Sequence, residues 1–335
     1  NCPLTPNPNQ IDSNTDGVGD VCETADFPSP ALLNTNGDTD LGDDYAVALA
    51  HDNAGHWVAV WSSDEDLNFT ENTDNEIFVA TSADGGDSWT YPALLNTNGA
   101  GDSGSDFTPS IATDGLGAWA VVWRSNENLN GTAGTDPDIF IARSVDNGTT
   151  WTAPALLNSN GELDTGNDYV PQIIADGNGA WITIWASDED LASGGGGTAG
   201  TDQDIFVARS ADAGASWSGP ALLNTNATSD SGTDDFPQIE TDAGGNWVVA
   251  WSSDEDLGGM AGTDPDIFIS TSPDGGVNWT APGWVNANGN GEGGESLLTG
   301  PSIATDRAGR WLMVWGAGDD PGAPSGSDED IFIAS

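Results

Sequence analysis

One eight-residue pattern returns four times in this chain, as SADGGDSW at 82–89, SVDNGTTW at 144–151, SADAGASW at 210–217 and SPDGGVNW at 272–279. The shared frame is Ser-x-Asp-x-Gly-x-x-Trp, and each residue type has a physical task. The carboxylates of Asp84, Asp146, Asp212 and Asp274 can accept hydrogen bonds from backbone N–H groups a few residues on, which folds the chain into a turn. Gly86, Gly148, Gly214 and Gly276 supply a positive φ that other residues resist. Trp89, Trp151, Trp217 and Trp279 restart the chain and anchor the turn in a core. The opening serines, Ser82, Ser144, Ser210 and Ser272, lie 62 to 66 residues apart. A turn of this kind between apolar runs reads as a β-hairpin, and a fixed period of this length reads as a repeat architecture.

Each repeat holds four strand-like runs. In the second these are PSIATD (109–114), AWAVVW (118–123), DIFIARS (138–144) and APALLN (153–158). A Trp-x-x-x-Trp pair marks every second run: Trp57/Trp61, Trp119/Trp123, Trp181/Trp185, Trp247/Trp251 and Trp311/Trp315. That spacing puts both indoles on one face of a strand. The residues between them, such as Val58 and Val60, are apolar as well, so both faces are expected to be buried. A half-buried sandwich alternates apolar and polar residues along its strands. Short strands that are apolar on both sides instead suit small sheets packed face to face around an axis.

The motif Ser-x-Asp-x-Gly-x-x-Trp resembles the Asp-box of sialidase-type β-propellers. That resemblance implies an all-β fold, and counting strands predicts five blades of four antiparallel strands over residues 26–335. First strands run up to Asp52, Asp114, Asp176, Asp242 and Asp306. Third strands carry Ile77-Phe78, Ile139-Phe140, Ile205-Phe206, Ile267-Phe268 and Ile331-Phe332. Fourth strands start at Pro30, Pro92, Pro154, Pro220 and Pro282. The first of these, PALLN at 30–34, precedes any complete blade, while the last blade stops at Ser335 where its Asp-box would begin. Residues 27–34 are therefore expected to close the ring as the fourth strand of the final blade. The alternative is that they complete a blade in a neighbouring chain and link subunits into a fibre.

Residues 1–25 form a separate segment. Residues 12–23 match the spacing D-x-[DN]-x-[DN]-G-x5-E, whose alternating oxygens surround Ca2+. Asp12, Asn14 and Asp16 would give side-chain oxygens, Val18 its carbonyl, Asp20 a further oxygen and Glu23 a bidentate carboxylate. The segment resembles a thrombospondin type-3 repeat, which implies a calcium-binding module. A Cys2–Cys22 bridge would clamp it in place of flanking helices. A local disulfide points to an oxidising, extracellular setting. The absence of an initiator Met before Asn1 is expected of a mature chain.

Charge removes several functions. The 335 residues include 54 Asp plus Glu against 5 Arg and no Lys, a formal charge of −49. Such a chain should repel nucleic-acid phosphates and anionic membrane surfaces. Nor is there an apolar run long enough for a spanning helix. The apolar fraction of 36% with 15 Trp describes a folded protein whose acids are tolerated through cations or salt. The loops between second and third strands carry DED at 64–66, 188–190 and 254–256 and paired acids such as Asp136/Asp138, Asp202/Asp204, Asp264/Asp266 and Asp328/Asp330. With the crossovers at 36–44, 161–168 and 229–235 they would ring one face with carboxylates, oxygen-rich ground that suits Ca2+.

Catalysis is not expected. Sialidases hold an acidic substrate with three arginines and attack with a Tyr supported by a Glu. Here Arg143 and Arg209 precede Asp-box serines on outer strands, and Arg307 and Arg310 sit in the turn after Asp306. Only Arg124 could face the funnel, and Tyr45 and Tyr169 read as ring packing. A carboxylate glycosidase needs two acids at a defined separation. Glu240 is the one acid read inside a first strand, where its counterparts are Ala50, Ala112, Ile174 and Ala304. The expectation is a secreted, non-catalytic calcium-binding protein with a structural or adhesive role, forming fibres through strand exchange or its N-terminal repeat. The alternative is a glycan-directed propeller, either lectin-like or a glycoside hydrolase.

Overall fold

The computed structural model describes residues 31–34, 42–65, 74–99, 103–129, 131–159, 161, 165–191, 199–200, 202–227, 231–257, 265–285, 297–317 and 330–335. The candidate Ca2+ ligands Asp12, Asn14, Asp16, Val18, Asp20 and Glu23, and both cysteines, lie outside the described residues.

Nineteen strands form five antiparallel sheets among the described residues. The first contains β1 (Asp44–His51), β2 (Trp57–Ser63), β3 (Glu76–Ser82) and β4 (Ala93–Leu94). The second contains β5 (Asp106–Thr113), β6 (Trp119–Ser125), β7 (Asp138–Ser144) and β8 (Ala155–Leu156). β9 (Asp168–Ala175), β10 (Trp181–Ser187), β11 (Asp204–Ser210) and β12 (Ala221–Leu222) make the third. β13 (Asp234–Thr241), β14 (Trp247–Ser253), β15 (Asp266–Ser272) and β16 (Gly283–Trp284) make the fourth. The fifth has only β17 (Leu297–Thr305), β18 (Trp311–Ala317) and β19 (Asp330–Ala334). Each sheet meanders in chain order and packs on the next. The first strands β1, β5, β9, β13 and β17 touch one another in turn, so they are the innermost.

Two turns in each of the first four sheets, and one in the fifth, are built from a single Asp each. In the turn between first and second strands, Asp52, Asp114, Asp176, Asp242 and Asp306 each accept from the N–H groups two and four residues on, at 2.7–3.1 Å. The Asp-box is the turn between third and fourth strands. Asp84 Oδ1 accepts from the Ser88 N–H at 2.9 Å, while Ser82 Oγ accepts from the Gly86 N–H at 3.0 Å. The same pair of bonds recurs at Asp146, Asp212 and Asp274. Gly86, Gly148, Gly214 and Gly276 have φ of 99°, 77°, 77° and 77°. Gly148 also abuts the preceding sheet: a Cβ there would meet Val58 at 2.7 Å. The box tryptophans are half-buried, with the Nε1–H of Trp89, Trp151 and Trp217 donating to Gly86, Gly148 and Gly214 carbonyls.

The core lies between sheets. One side of each sheet carries aliphatic residues, the other the indole pair and a Phe. Val58, Val60, Ile77 and Val79 of the first sheet pack on Trp119, Val121, Trp123 and Phe140 of the second, and the scheme repeats along the row. The expectation that second strands are buried on both faces is met in β2, β6, β10 and β14. It fails in β18, where Leu312 and Val314 are exposed.

Fourth strands are shorter than the sequence suggests, at two residues each. Pro92, Pro154 and Pro220 have no N–H to give to a ladder. Two residues later the side chain of Asn96 takes over: its Oδ1 accepts the Ile77 N–H at 3.0 Å, and Asn158 and Asn224 do the same for Ile139 and Ile205. The expected closure by residues 27–34 is corrected in part. Residues 31–34 form no strand, and the fifth sheet has three strands among the described residues.

Candidate functional site: the inner funnel and its acidic rim

Most of the rim acids are occupied by backbone amides. Glu65, Glu189 and Glu255 Oε2 accept from the N–H of Gly42, Gly166 and Ser231, and Glu127 from Ser103, at 3.1–3.4 Å. Asp64 and Asp254 Oδ1 take the N–H of Asp43 and Thr233, Asp188 that of Asn167. Each DED loop is thus stapled to the crossover that enters its own sheet. The approach requires glycine: a Cβ on Gly42, Gly104, Gly166 or Gly232 would lie 2.4–2.6 Å from the Glu backbone.

The paired acids are equally engaged. Asp138 and Asp168 are buried, and Asn158 Nδ2 donates to both, at 2.6 and 2.9 Å. Asn224 bridges Asp204 and Asp234 at 2.6 and 2.8 Å, and Asn96 bridges Glu76 and Asp106. One amide therefore ties a third strand to the first strand of the next sheet. Among the described residues, both carboxylate oxygens of Asp74, and one each of Asp136 and Asp202, are out of contact with water and make no hydrogen bond. Burial raises the Asp74 carboxyl above its ordinary value. Asp264 and Asp328 lie outside the described residues.

The Asp-box carboxyls are shifted the opposite way. Hydrogen bonds from the side chains of Ser88, Ser216 and Asn278, then from their N–H groups, hold Asp84, Asp212 and Asp274 at about 2. A lowered folded value means the native turn binds its proton later than the unfolded chain does. The stability these turns contribute is present above the ordinary carboxylate value and is lost as pH falls through about 2. A carboxyl-carbon NMR titration should therefore show these three midpoints below the bulk of the acids. Midpoints at the ordinary value would contradict the bonding described.

At the inner end of the row, every first strand carries a bulge. Ala46, Thr108, Val170 and Phe236 have φ of 44–52°, and the pairing register shifts there. A bulge re-aims the neighbouring side chain. The residues ahead of it in the first four sheets are Tyr45, Phe107, Tyr169 and Asp235. Arg124 Cζ sits 5.1 Å from the centroid of the Tyr169 ring, and Arg124 shares a small cavity with Ser105, Phe107, Asn126 and Pro137. Its Nε is buried and makes no hydrogen bond among the described residues. Burial, then the charge of Asp188, raises the Tyr169 hydroxyl, against the opposing pull of Arg124. Burial likewise raises Asp235 above the ordinary carboxylate value.

These positions sort the sequence-level candidates. Arg124 stands on the face of Tyr169 of the next sheet. Arg143 and Arg209 do not: their Nε–H groups donate to Ala213 and Gly275 carbonyls in the next sheet's Asp-box, at 2.8 and 2.7 Å. No arginine triad forms among the described residues. Glu240 accepts from the adjacent Thr241 N–H at 2.9 Å. Asp235, which the sequence reading placed at the end of the crossover 229–235, lies inside β13. Its signal was its alignment with Tyr45, Phe107 and Tyr169, just after the Asp that opens each of β1, β5, β9 and β13.

No family model matches the sequence, and no curated protein is measurably similar to it. Solved structures are similar in fold. A Hadza microbial sialidase superposes with a TM-score of 0.53 at 14% identity, covering 87% of this chain and 56% of that one. The chain thus spans little more than half of that sialidase. A protein of unknown function from Dyadobacter fermentans gives 0.51 at 16% identity, over 84% of this chain and 77% of that one. An intramolecular trans-sialidase from Ruminococcus gnavus gives 0.51 at 12% identity, over 86% and 83%. At such identities the likeness shows the fold alone, a sialidase-type β-propeller with Asp-box repeats.

Proposed function

We propose that this chain is a non-catalytic, extracellular adhesive propeller that recognises glycans at its funnel and depends on Ca2+. The observation that carries the glycan reading is the group at the inner bulges. Arg124 lies on the Tyr169 face with an uncommitted Nε, Phe107 lines the same cavity, and Asp235 is biased toward its neutral form. Aromatic faces pair with the apolar faces of sugar rings, while a guanidinium and a carboxyl meet hydroxyls. The acids that could have served catalysis in the DED loops are instead held by backbone amides. Ca2+ would be held by the N-terminal loop of Asp12 to Glu23, whose residue pattern supplies the oxygens. An extracellular location follows from the N-terminal module and the charge.

A glycan array read with and without Ca2+ tests this proposal. A specific hit is expected, weakened in Arg124→Ala by about ten- to a hundredfold, the range for losing a hydrogen bond to a charged group of about 1.5–3 kcal/mol. The second reading is a carboxylate glycosidase, favoured by the raised Asp235 and by the sialidases among the fold's relatives. Hydrolysis of an arrayed glycan that Asp235→Asn abolishes would replace the first reading with the second.

A further inference from the structure

The two ends of the row of sheets are unlike each other and complementary. In the four internal interfaces an aliphatic face meets a Trp/Phe face. The fifth sheet's aliphatic face meets nothing among the described residues. Ile331, Ile333, Leu312 and Val314 are 79%, 67%, 49% and 38% exposed, whereas their counterparts Ile205, Val207, Ile182 and Ile184 are 0–7% exposed. At the other end, Val47 and Leu49 of β1 are 70% and 54% exposed, while the matching Pro109 and Ile111 of β5, and Pro171 and Ile173 of β9, are buried. No packing comparable to the internal interfaces joins the fifth sheet to the first.

Residues 31–34 show what is missing. Leu33 packs on Ala59, Trp61, Phe78 and Ala80 of the first sheet. That is the seat which Leu95, Leu157 and Leu223 take on the next sheet along. Asn34 Nδ2 donates to Asp44 Oδ2 at 2.7 Å, as Asn96 does to Asp106. Residues 31–34 are thus seated as the fourth strand of a sheet that precedes the first. In each four-stranded sheet that strand pairs with the third, Phe78 opposite Leu94 and Val79 opposite Ala93. The equivalent third strand is β19, which among the described residues pairs only with β18. By the same register Phe332 would face Leu32, and Ile333 would face Ala31.

We propose that the fifth sheet of one copy of this chain docks on the first sheet of a second copy, with residues 31–34 of the second copy pairing with β19 of the first. The four internal interfaces are all formed, yet among the described residues β19 pairs with β18 alone and residues 31–34 join no sheet. A second copy supplies both halves at once. The contact is head to tail, so it leaves a free end on each partner and propagates into an open filament unless its rotation closes a ring. Copies carrying −49 repel one another, so association strengthens as salt screens that charge. The proposal is independent of what the funnel binds.

Two variants of the full chain test it, Ala31→Cys and Ile333→Cys, each also carrying Cys2→Ser and Cys22→Ser so that the added thiol is its only one, mixed under oxidation and read on a non-reducing gel beside sedimentation velocity in high salt. The expected result is a mixed crosslinked species that neither variant forms alone, and sedimentation that grows with concentration. Ile331→Asp with Ile333→Asp should abolish the growth while keeping the near-ultraviolet tryptophan spectrum of a folded protein. A wild-type chain that stays monomeric, with no mixed crosslink, overturns the proposal. So does crosslinking confined within one chain when both cysteines are on it, which would mean the ring closes on itself.

Discussion

Replacing Asn158 with alanine is expected to destabilise the protein by about 3–5 kcal/mol, the cost of breaking a buried charged network by deleting one member. Asn158 is fully buried, and its amide is the donor shared by Asp138 and Asp168, while its Oδ1 accepts from the Ile139 N–H. Alanine leaves two buried carboxylates with one donor fewer each and one strand amide without its acceptor. Aspartate at the same position should be worse at neutral pH, because it adds a third negative charge where no cation stands among the described residues. Such a carboxyl titrates well above its ordinary value, since burial and two like neighbours both oppose its ionisation. Its folded form then holds a proton that the unfolded chain has released, so Asn158→Asp should gain stability as pH falls. This is opposite in sign to the Asp-box turns. Denaturant midpoints of the two variants across pH would check both statements. An Asn158→Asp chain as stable as wild type at neutral pH would show that the amide does not bridge the two acids.

The same network marks the boundary of what the sequence discloses. Asp-box turns are local: acceptor and donors lie within four residues, so Ser82, Asp84 and Gly86 declare their bonds in one short string. Second strands are equally legible, because the Trp pairs and the residues between them fix both faces. The rim acids are not. Glu189 and the Gly166 N–H that it accepts are 23 residues apart, and the partner is a backbone group with no side chain to read. An acid held by an amide and an acid held by water look alike in a sequence. The short fourth strands escape for a related reason. PALLN is apolar enough for a strand, but the asparagine side chain replaces the ladder after two residues. Asp235 was hidden because its equivalents are aromatic. Position in the bulge, rather than residue type, unites Tyr45, Phe107, Tyr169 and Asp235.

Sheet order has a consequence for stability as well as for assembly. Among the described residues the substantial packing of each sheet is with its neighbours, so the molecule resembles a repeat array whose cohesion is the sum of nearest-neighbour interfaces. Interfaces differ in what they bury. The one between second and third sheets joins Val122, Ile139 and Ile141 to Trp181, Trp185 and Phe206, all buried. The one between fourth and fifth contains fewer buried groups and adjoins the open aliphatic face. The fifth sheet is therefore the end from which unfolding should start in an isolated copy.

Against that background, Trp185→Ala is expected to have an effect as large as that of Asn158→Ala. Its indole is buried at the centre of the row, its ring centroid 5.9 Å from that of Phe206. Deleting a buried tryptophan to alanine costs about 3–5 kcal/mol, part lost transfer energy and part cavity. Trp185 carries a further role, because its Nε1–H donates to Asp168 Oδ1 at 3.0 Å, and Asp168 is the acid that Asn158 also holds. Truncation therefore empties the interface and removes a donor from a buried carboxylate together. Trp185→Phe separates the two: it restores most of the ring but not the N–H, and should cost about 1–3 kcal/mol, the penalty for leaving a buried acceptor unmet. Guanidinium midpoints followed by far-ultraviolet circular dichroism would read both. The double variant with Asn158→Ala should lose less than the two single losses together, because both changes strip donors from the same carboxylate. Strict additivity would mean that Trp185 and Asn158 act on Asp168 separately, and the shared network described above would not hold.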